Sequence, residues 1–125
     1  MLTSQLSAVT HRNLAVLEAA QRASDGINQL IDASPRRLLY VRQMRRSAQS
    51  IVANIKEGFG RGTGRDRAHP LEIARGEAEE TIGHLGTNFR TQRVDARDYW
   101  PLHHLLVVIV KMLNSLLVAV DAAGR

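Results

Sequence analysis

Met44-Arg45-Arg46-Ser47-Ala48-Gln49-Ser50-Ile51-Val52-Ala53-Asn54-Ile55-Lys56-Glu57-Gly58-Phe59-Gly60-Arg61 is the stretch whose reading decides the fold. Met44, Ala48, Ile51, Ile55 and Phe59 recur at steps of three and four, with Val52 beside Ile51. That is the period of a helix with one buried face, and no alternating strand pattern competes with it. Upstream, Leu38 and Val41 extend the stripe, and Ser34-Pro35 offers a start. Serine is a favoured N-cap, and proline suits the first helical position, where its missing N–H costs nothing. Gly58-Phe59-Gly60 offers the stop, because glycine takes the left-handed conformation that ends helices. A helix α2 is therefore expected from Ser34-Pro35 to Gly58–Gly60.

Working outward, three further stretches are helical by the same test. Helix α1 is expected over about residues 8–32, with Leu14, Leu17, Gln21, Ser24, Ile27, Leu30 and Ile31 on its stripe. Helix α3 starts near Asp66 or Pro70 and runs to about Thr91, with Leu71, Ala74, Ala78, Ile82, Leu85 and Phe89 on its stripe. Its interior Gly76 and Gly83 fall nearly on one face, which suggests either close approach of another backbone or a locally weak helix. Helix α4 is expected from about Asp95 to Ala122, with Asp95 or Asp98 as cap and Pro101 as a start or a kink. Its core stripe reads Leu102, Leu105, Ile109, Met112, Leu116 and Val120. The chain thus reads as all-α, one four-helix domain over residues 1–125.

Helix α4 carries a second set of apolar residues, Leu106, Val107, Val108, Val110, Leu117 and Val118. A helix apolar nearly all round is buried all round. His103, His104, Lys111, Asn114 and Ser115 interrupt the run too early for a span of ~20 apolar residues, so no membrane role is expected. A second copy of the chain is the expected cover, with those six residues as the candidate oligomer interface.

The chain has 125 residues and a formal net charge of +5. It has no cysteine, which excludes disulfides, thiolate metal sites and cysteine catalysis. No secretory leader pattern is visible, so the expected compartment is the cytoplasm. Aromatic residues are 4%, which argues against aromatic platforms for bases or sugars. Residues 36–67 hold nine basic residues against two acidic ones, a local balance of +7. On a helical wheel Arg42, Arg45, Arg46, Gln49 and Lys56 form one flank of α2, and Arg61 and Arg65 continue it into a glycine-rich loop. Such a flank can meet the phosphates of RNA or DNA, or it can pair with Glu72, Glu77, Glu79 and Glu80 of α3. Ser47, Ser50, Asn54 and Glu57 form the other flank, read as a polar seam or a binding groove. Glu57 sits where the helix dipole disfavours an anion, so a cationic partner such as Arg61 is expected.

Catalytic constellations do not assemble. A bundle di-metal site needs Glu-x-x-His on two helices, and none of His11, His69, His84, His103 and His104 has a glutamate three residues before it. Glu80 and His84 are one helical turn apart and read as an exposed acid–imidazole pair. The run Gly58 to Gly64 follows a helix and lacks Gly-Lys-Ser/Thr, so it is no Walker loop. No catalytic residue, metal or cofactor is expected.

The Met44–Arg61 stretch also resembles a signature, approximately Arg-Arg-Ala-x-Ser-Ile-x-x-Asn-Ile-Ala-Glu-Gly-x-Gly-Arg. It is that of the four-helix bundle proteins often encoded within intervening sequences of bacterial large-subunit ribosomal RNA genes. Leu71-Glu72-Ile73-Ala74-Arg75-Gly76-Glu77 is similar to that family's Ile-Ala-Arg-Gly block, and Lys111-Met112-Leu113-Asn114-Ser115-Leu116 to its closing Lys-Met-Leu-x-x-Leu. Val52 and Lys56 depart from the pattern, which often has proline and alanine there. The resemblance implies an antiparallel up-down-up-down bundle, a homopentameric ring and no established enzymatic activity. It also implies a distant link to the basic accessory proteins of diversity-generating retroelements, which work with nucleic acid. The functional expectation is a non-catalytic scaffold that binds RNA or DNA through Arg42, Arg45, Arg46, Lys56, Arg61 and Arg65. The alternative is a structural or protein-interaction module with no nucleic-acid role.

Overall fold

The computed structural model describes residues 2–61 and 64–123. Among them are four long helices, α1 (Leu2–Ala33), α2 (Val41–Gly60), α3 (Ala68–Arg90) and α4 (Ala96–Ala123), and no strand. A single 3-10 turn, Gly64–Arg67, precedes α3. Contacts run α1 to α2, α2 to α3, α3 to α4 and α1 to α4, so all four helices share one core.

The stripes of α2 and α3 are as the periodicity requires. Met44, Ala48, Ile51 and Ile55 of α2 are buried against Leu71, Ala74, Ala78 and Leu85 of α3 in one cluster. The starts of α1 and α2 differ from expectation, and α1 begins at Leu2 rather than near residue 8. Helix α2 begins at Val41, and Ser34-Pro35 lies in the preceding turn, where the Ser34 N–H donates to Ile31 and its carbonyl accepts from Arg37. Serine is engaged there in closing α1, and Tyr40, with φ 60°, takes the N-cap position. At the other end α2 stops at Gly60, within the expected Gly58–Gly60, but not through a left-handed glycine there: its cap is Arg61 with φ −87°, and the glycine with positive φ is Gly64 at +71°. Gly58 serves packing instead: a Cβ there would lie 3.0 Å from Leu71 Cδ2 and 3.4 Å from the Arg67 carbonyl oxygen.

The outer two helices are rotated from expectation. The buried face of α1 is Val16, Ala19, Ala20, Ala23, Ile27 and Ile31, whereas Leu14 is 50% exposed and Gln21 is exposed. Small alanines bring α1 close to its neighbours, and Gly26 meets Leu102 so closely that a Cβ would fall 2.4 Å from its Cδ2. In α4 the fully buried residues are Leu106, Ile109 and Leu113, while Leu102, Leu105, Met112 and Leu116 are partly buried. With two apolar faces, hydropathy alone does not set the rotation of this helix. Gly76 and Gly83 of α3 face open space: a methyl group at either position would have nothing within 4 Å, so no backbone among the described residues of other elements approaches them.

Helix α4 remains largely uncovered. Only 22% of its most apolar stretch is buried, and by length and composition Ala96–Ala122 is long and apolar enough to cross a membrane. On that measure its polar residues do not shorten the run as much as their spacing suggests.

Candidate nucleic-acid interface

The basic flank of α2 is a solvent-facing arc whose edges are tied to the neighbouring helices. At one edge Arg45 donates to Asn28 Oδ1 at 2.8 Å and pairs with Asp32, both on α1. At the other, Arg46 Nη2 reaches Glu80 at 3.1 Å and Nη1 lies 3.6 Å from Glu77, both on α3. Adjacent residues on a helix are about 100° apart, which is why two neighbouring arginines reach opposite partners. Arg42 and Lys56, in the middle of the arc, are exposed and carry no ion pair with any described residue. Beyond the helix Arg61 bonds Glu57 through Nε at 3.0 Å and Nη2 at 2.9 Å, the cationic partner expected for that carboxylate. Arg65 is exposed and unpaired among the described residues. Gly62 and Thr63 lie outside the described residues.

The six candidate cations therefore divide. Arg45, Arg46 and Arg61 are held by carboxylates, and Arg42, Lys56 and Arg65 are free to meet an anion. Beside them α1 and α2 enclose an open groove of about 550 Å³, lined by Gln21, Ser24, Asp25, Gln49, Val52, Ala53 and Lys56. It continues past Ala53 and Lys56 to Gly60 and Arg61.

On the α3 side one pair of buried hydroxyls is satisfied across the helices. Ser47 and Thr81, both fully buried, share a 2.7 Å hydrogen bond. Asn54 donates to both the carbonyl and the hydroxyl of Ser50. The Ser47–Thr81 bond crosses the seam between α2 and α3, as buried hydroxyls require, whereas the Asn54–Ser50 bonds stay within α2. Next to them Arg46, Glu77, Glu80 and His84 form a charged cluster. Burial, and then the hydrogen bond with Glu80, pushes the Glu77 carboxyl above its ordinary range despite Arg46. For Glu80 burial acts upward too, but its hydrogen bonds with Glu77 and His84 and the charge of Arg46 prevail and hold it below that range. His84 Nε2 lies 3.4 Å from Glu80 Oε1, so the one-turn acid–imidazole pair forms as the spacing implies, but it is partly buried rather than exposed. Among the described residues, no group of three or more histidines and carboxylates could hold a metal ion.

The candidate interface residues on α4 also divide. Leu106 is fully buried in the chain's own core, which removes it from any surface a second copy could meet. Val110 and Leu117 are partly buried against that core, Val107 and Val108 are half-buried, and Val118 is 70% exposed.

Sequence reading misses the end of the molecule where α3 meets Tyr40 and α4. Asn88, fully buried, accepts the Leu39 N–H at 2.7 Å and donates to the Leu39 carbonyl at 3.0 Å. Phe89, Tyr99, Trp100 and His103 gather there, so the few aromatic residues are concentrated rather than scattered. The contacts cross between elements, and no local spacing announces them.

Four helices around one core, with an arginine-rich helix face, define a small all-helical protein of the four-helix type. Residues 12–115 match the 23S rRNA-intervening sequence protein family, and the chain belongs to that family. A solved structure from Bacteroides thetaiotaomicron is similar, described as a protein with unknown function from the S23 ribosomal protein family. It is 26% identical, with a TM-score of 0.77, over 85% of this chain and 97% of that one. Among curated proteins none matches the chain.

Proposed function

We propose that the protein is a non-catalytic, cytoplasmic, homo-oligomeric scaffold that binds RNA or DNA through phosphate contacts. The observation that carries the reading is the pair Arg42 and Lys56, exposed on one flank of α2 with no ion pair to any described residue, with Arg65 exposed and unpaired beyond the helix. Arg42 and Lys56 are fourteen residues apart on one helix, about 21 Å, which is enough to follow several phosphates. Arginine suits the task because its planar fork donates paired hydrogen bonds to phosphate oxygens. Membership of a family tied to ribosomal RNA intervening sequences is consistent with it. Arg45, Arg46 and Arg61 are largely neutralised by the carboxylates that hold them and spend their hydrogen bonds within the chain.

The bundle in this proposal is antiparallel, up-down-up-down. Supporting it, Arg46 pairs with Glu80 near one end of the α2–α3 pair, and Gly58 packs on Leu71 near the other. The oligomer is a pentameric ring, and the apolar, largely uncovered surface of α4 supplies the contact. Val107, Val108 and Val118 are the residues of that surface least engaged by the core. Each copy added to a ring repeats the basic face, which multiplies phosphate contacts without any new site.

Light scattering of the purified chain tests assembly. Five subunits, with Val108→Asp or Val118→Asp shifting the population to smaller species, is the expected result. A stable monomer at micromolar concentration removes the ring. Partition into lipid vesicles with no soluble oligomer assigns the α4 face to a membrane instead. Nucleic-acid binding is tested by titration with RNA and DNA at several salt concentrations. Absence of binding at low salt would leave a structural or protein-interaction module, the reading favoured by the Arg46–Glu80 pairing.

A further inference from the structure

The connection before α2, the C-terminus of α3 and the N-terminus of α4 meet at one end of the molecule. Tyr40 (φ 60°) and Gln92 (φ 61°) are the non-glycine residues with positive φ among those described, and both lie there. Such backbone is disfavoured for side chains with a Cβ, and it persists where surrounding contacts impose it. Here the contact is the double hydrogen bond of buried Asn88 to Leu39, which fixes the residue next to Tyr40. The result is a tyrosine that is 46% exposed, with its ring stacked on His84 at 4.8 Å.

On the other side of α3 stands Trp100, 53% exposed. Its ring is braced at steep angles by Phe89 (5.6 Å), Tyr99 (4.9 Å) and His103 (5.5 Å). Phe89 and Tyr99 are themselves stacked at 4.0 Å, and the Tyr99 hydroxyl bonds His103 Nδ1 at 3.1 Å. A large aromatic surface left open on a rigid support is what a stacking partner uses at small entropic cost.

Charge completes the arrangement. Residues 36–37 and 90–98 together carry five arginines against two aspartates, a balance of +3. Arg37 donates to the Gln92 carbonyl and Arg93 to the Arg37 carbonyl, each at 2.9 Å. These bonds tie each guanidinium to the backbone of the opposite connection, and neither has a carboxylate partner among the described residues. Arg90, next to Phe89, bonds the Thr87 hydroxyl and has no carboxylate partner among the described residues.

We propose that this end of the molecule binds single-stranded nucleic acid, with bases stacked on Trp100 and Tyr40 and phosphates met by Arg37, Arg90 and Arg93. The inference rests on the nucleic-acid reading above and narrows it to unpaired strands, because only an unpaired base offers its face. Stacking makes the site tolerant of sequence, and the arginines make it salt-dependent. It is separate from the Arg42–Lys56 arc, which meets phosphates alone and does not distinguish single strand from duplex.

Trp100 is the single tryptophan, so its fluorescence reports the site directly. The full-length protein is titrated with a 12-nucleotide uridine or thymidine oligomer and with a duplex of the same length. The expected result is quenching of Trp100 by either single strand and not by the duplex. Trp100→Leu and Tyr40→Asn should each weaken single-strand binding by roughly 5- to 150-fold, the range that base–aromatic stacking supplies, with duplex binding unchanged. Asparagine at position 40 keeps the left-handed backbone while removing the ring. Equal binding of both forms without quenching overturns this site and leaves the phosphate-binding reading intact. Failure of either nucleic acid to bind overturns both. Emission that shifts on dilution of the protein alone places Trp100 in a subunit contact and also overturns the site.

Discussion

Asn88 and Leu39 are joined by two hydrogen bonds, one to each backbone polar group of Leu39, at 2.7 Å and 3.0 Å. Asn88 also donates to the His84 carbonyl at 2.9 Å and is fully buried. One side chain therefore satisfies a connection that has no helix of its own to bond with. Asn88→Ala should destabilise the protein by about 2–4 kcal/mol, since two partly buried backbone groups lose their partner. Chemical denaturation measures this. A loss below about 0.5 kcal/mol would show that water replaces the side chain, because an unmet buried group costs at least ~1 kcal/mol.

The glycines give a prediction with two signs. Gly58→Ala should destabilise by roughly 1–3 kcal/mol, because the new methyl meets Leu71 at 3.0 Å and the Arg67 carbonyl at 3.4 Å. Gly76→Ala and Gly83→Ala meet nothing, and each should stabilise an isolated chain by up to ~1 kcal/mol through helix propensity. Thermal melts of the three variants check the order. A Gly76→Ala or Gly83→Ala variant that is less stable than wild type would mean that another copy packs on that face of α3.

Glu80 and Glu77 make stability depend on pH in opposite directions. Glu80 is held below its ordinary value, so its contribution is present above the unfolded value of 4.5 and is lost as pH falls through the folded one. Glu77 is raised, so folding favours its protonated form, and that contribution falls away as pH rises through the raised value. Glu80→Gln should therefore lower stability at pH 7 by no more than about 1 kcal/mol, as partly exposed ion pairs do. The difference from wild type should close below pH 4.5. A difference that stays constant into acid would assign the effect to packing.

Legibility followed local signal. The α2 stripe from Met44 to Ile55 and the α3 stripe from Leu71 to Leu85 were readable because each has a single apolar face. The α4 face was ambiguous because Leu105 and Leu106 are both apolar, and only packing shows that Leu106 is the one in the core. Ser34 does not cap α2 because its backbone N–H and carbonyl close the turn after α1, a role that does not depend on its side chain and that composition does not signal. Glu57 with Arg61 was legible, being one turn apart on the chain. The pairing of Arg45 with Asp32 and of Arg46 with Glu80 was not, since helical angles place a side chain on a face without naming its partner. Clustering of the few aromatic residues around Trp100 likewise depends on tertiary contacts that composition does not contain.

Binding of nucleic-acid phosphates by the unpaired cations of α2 is the proposal on which the functional reading stands, and salt dependence tests it. Affinity for a single strand and for a duplex is measured across salt concentrations for wild type and Arg42→Ala/Lys56→Ala. The variant should bind all sequences more weakly and alike, with a log–log slope flatter by about 0.7 per lost contact on a single strand, or about 0.9 on a duplex. Arg46→Ala should instead lower stability by up to about 1 kcal/mol and change affinity little, because Glu77 and Glu80 already engage that side chain. Unchanged affinity and unchanged slope in the Arg42→Ala/Lys56→Ala variant would contradict phosphate binding by this face.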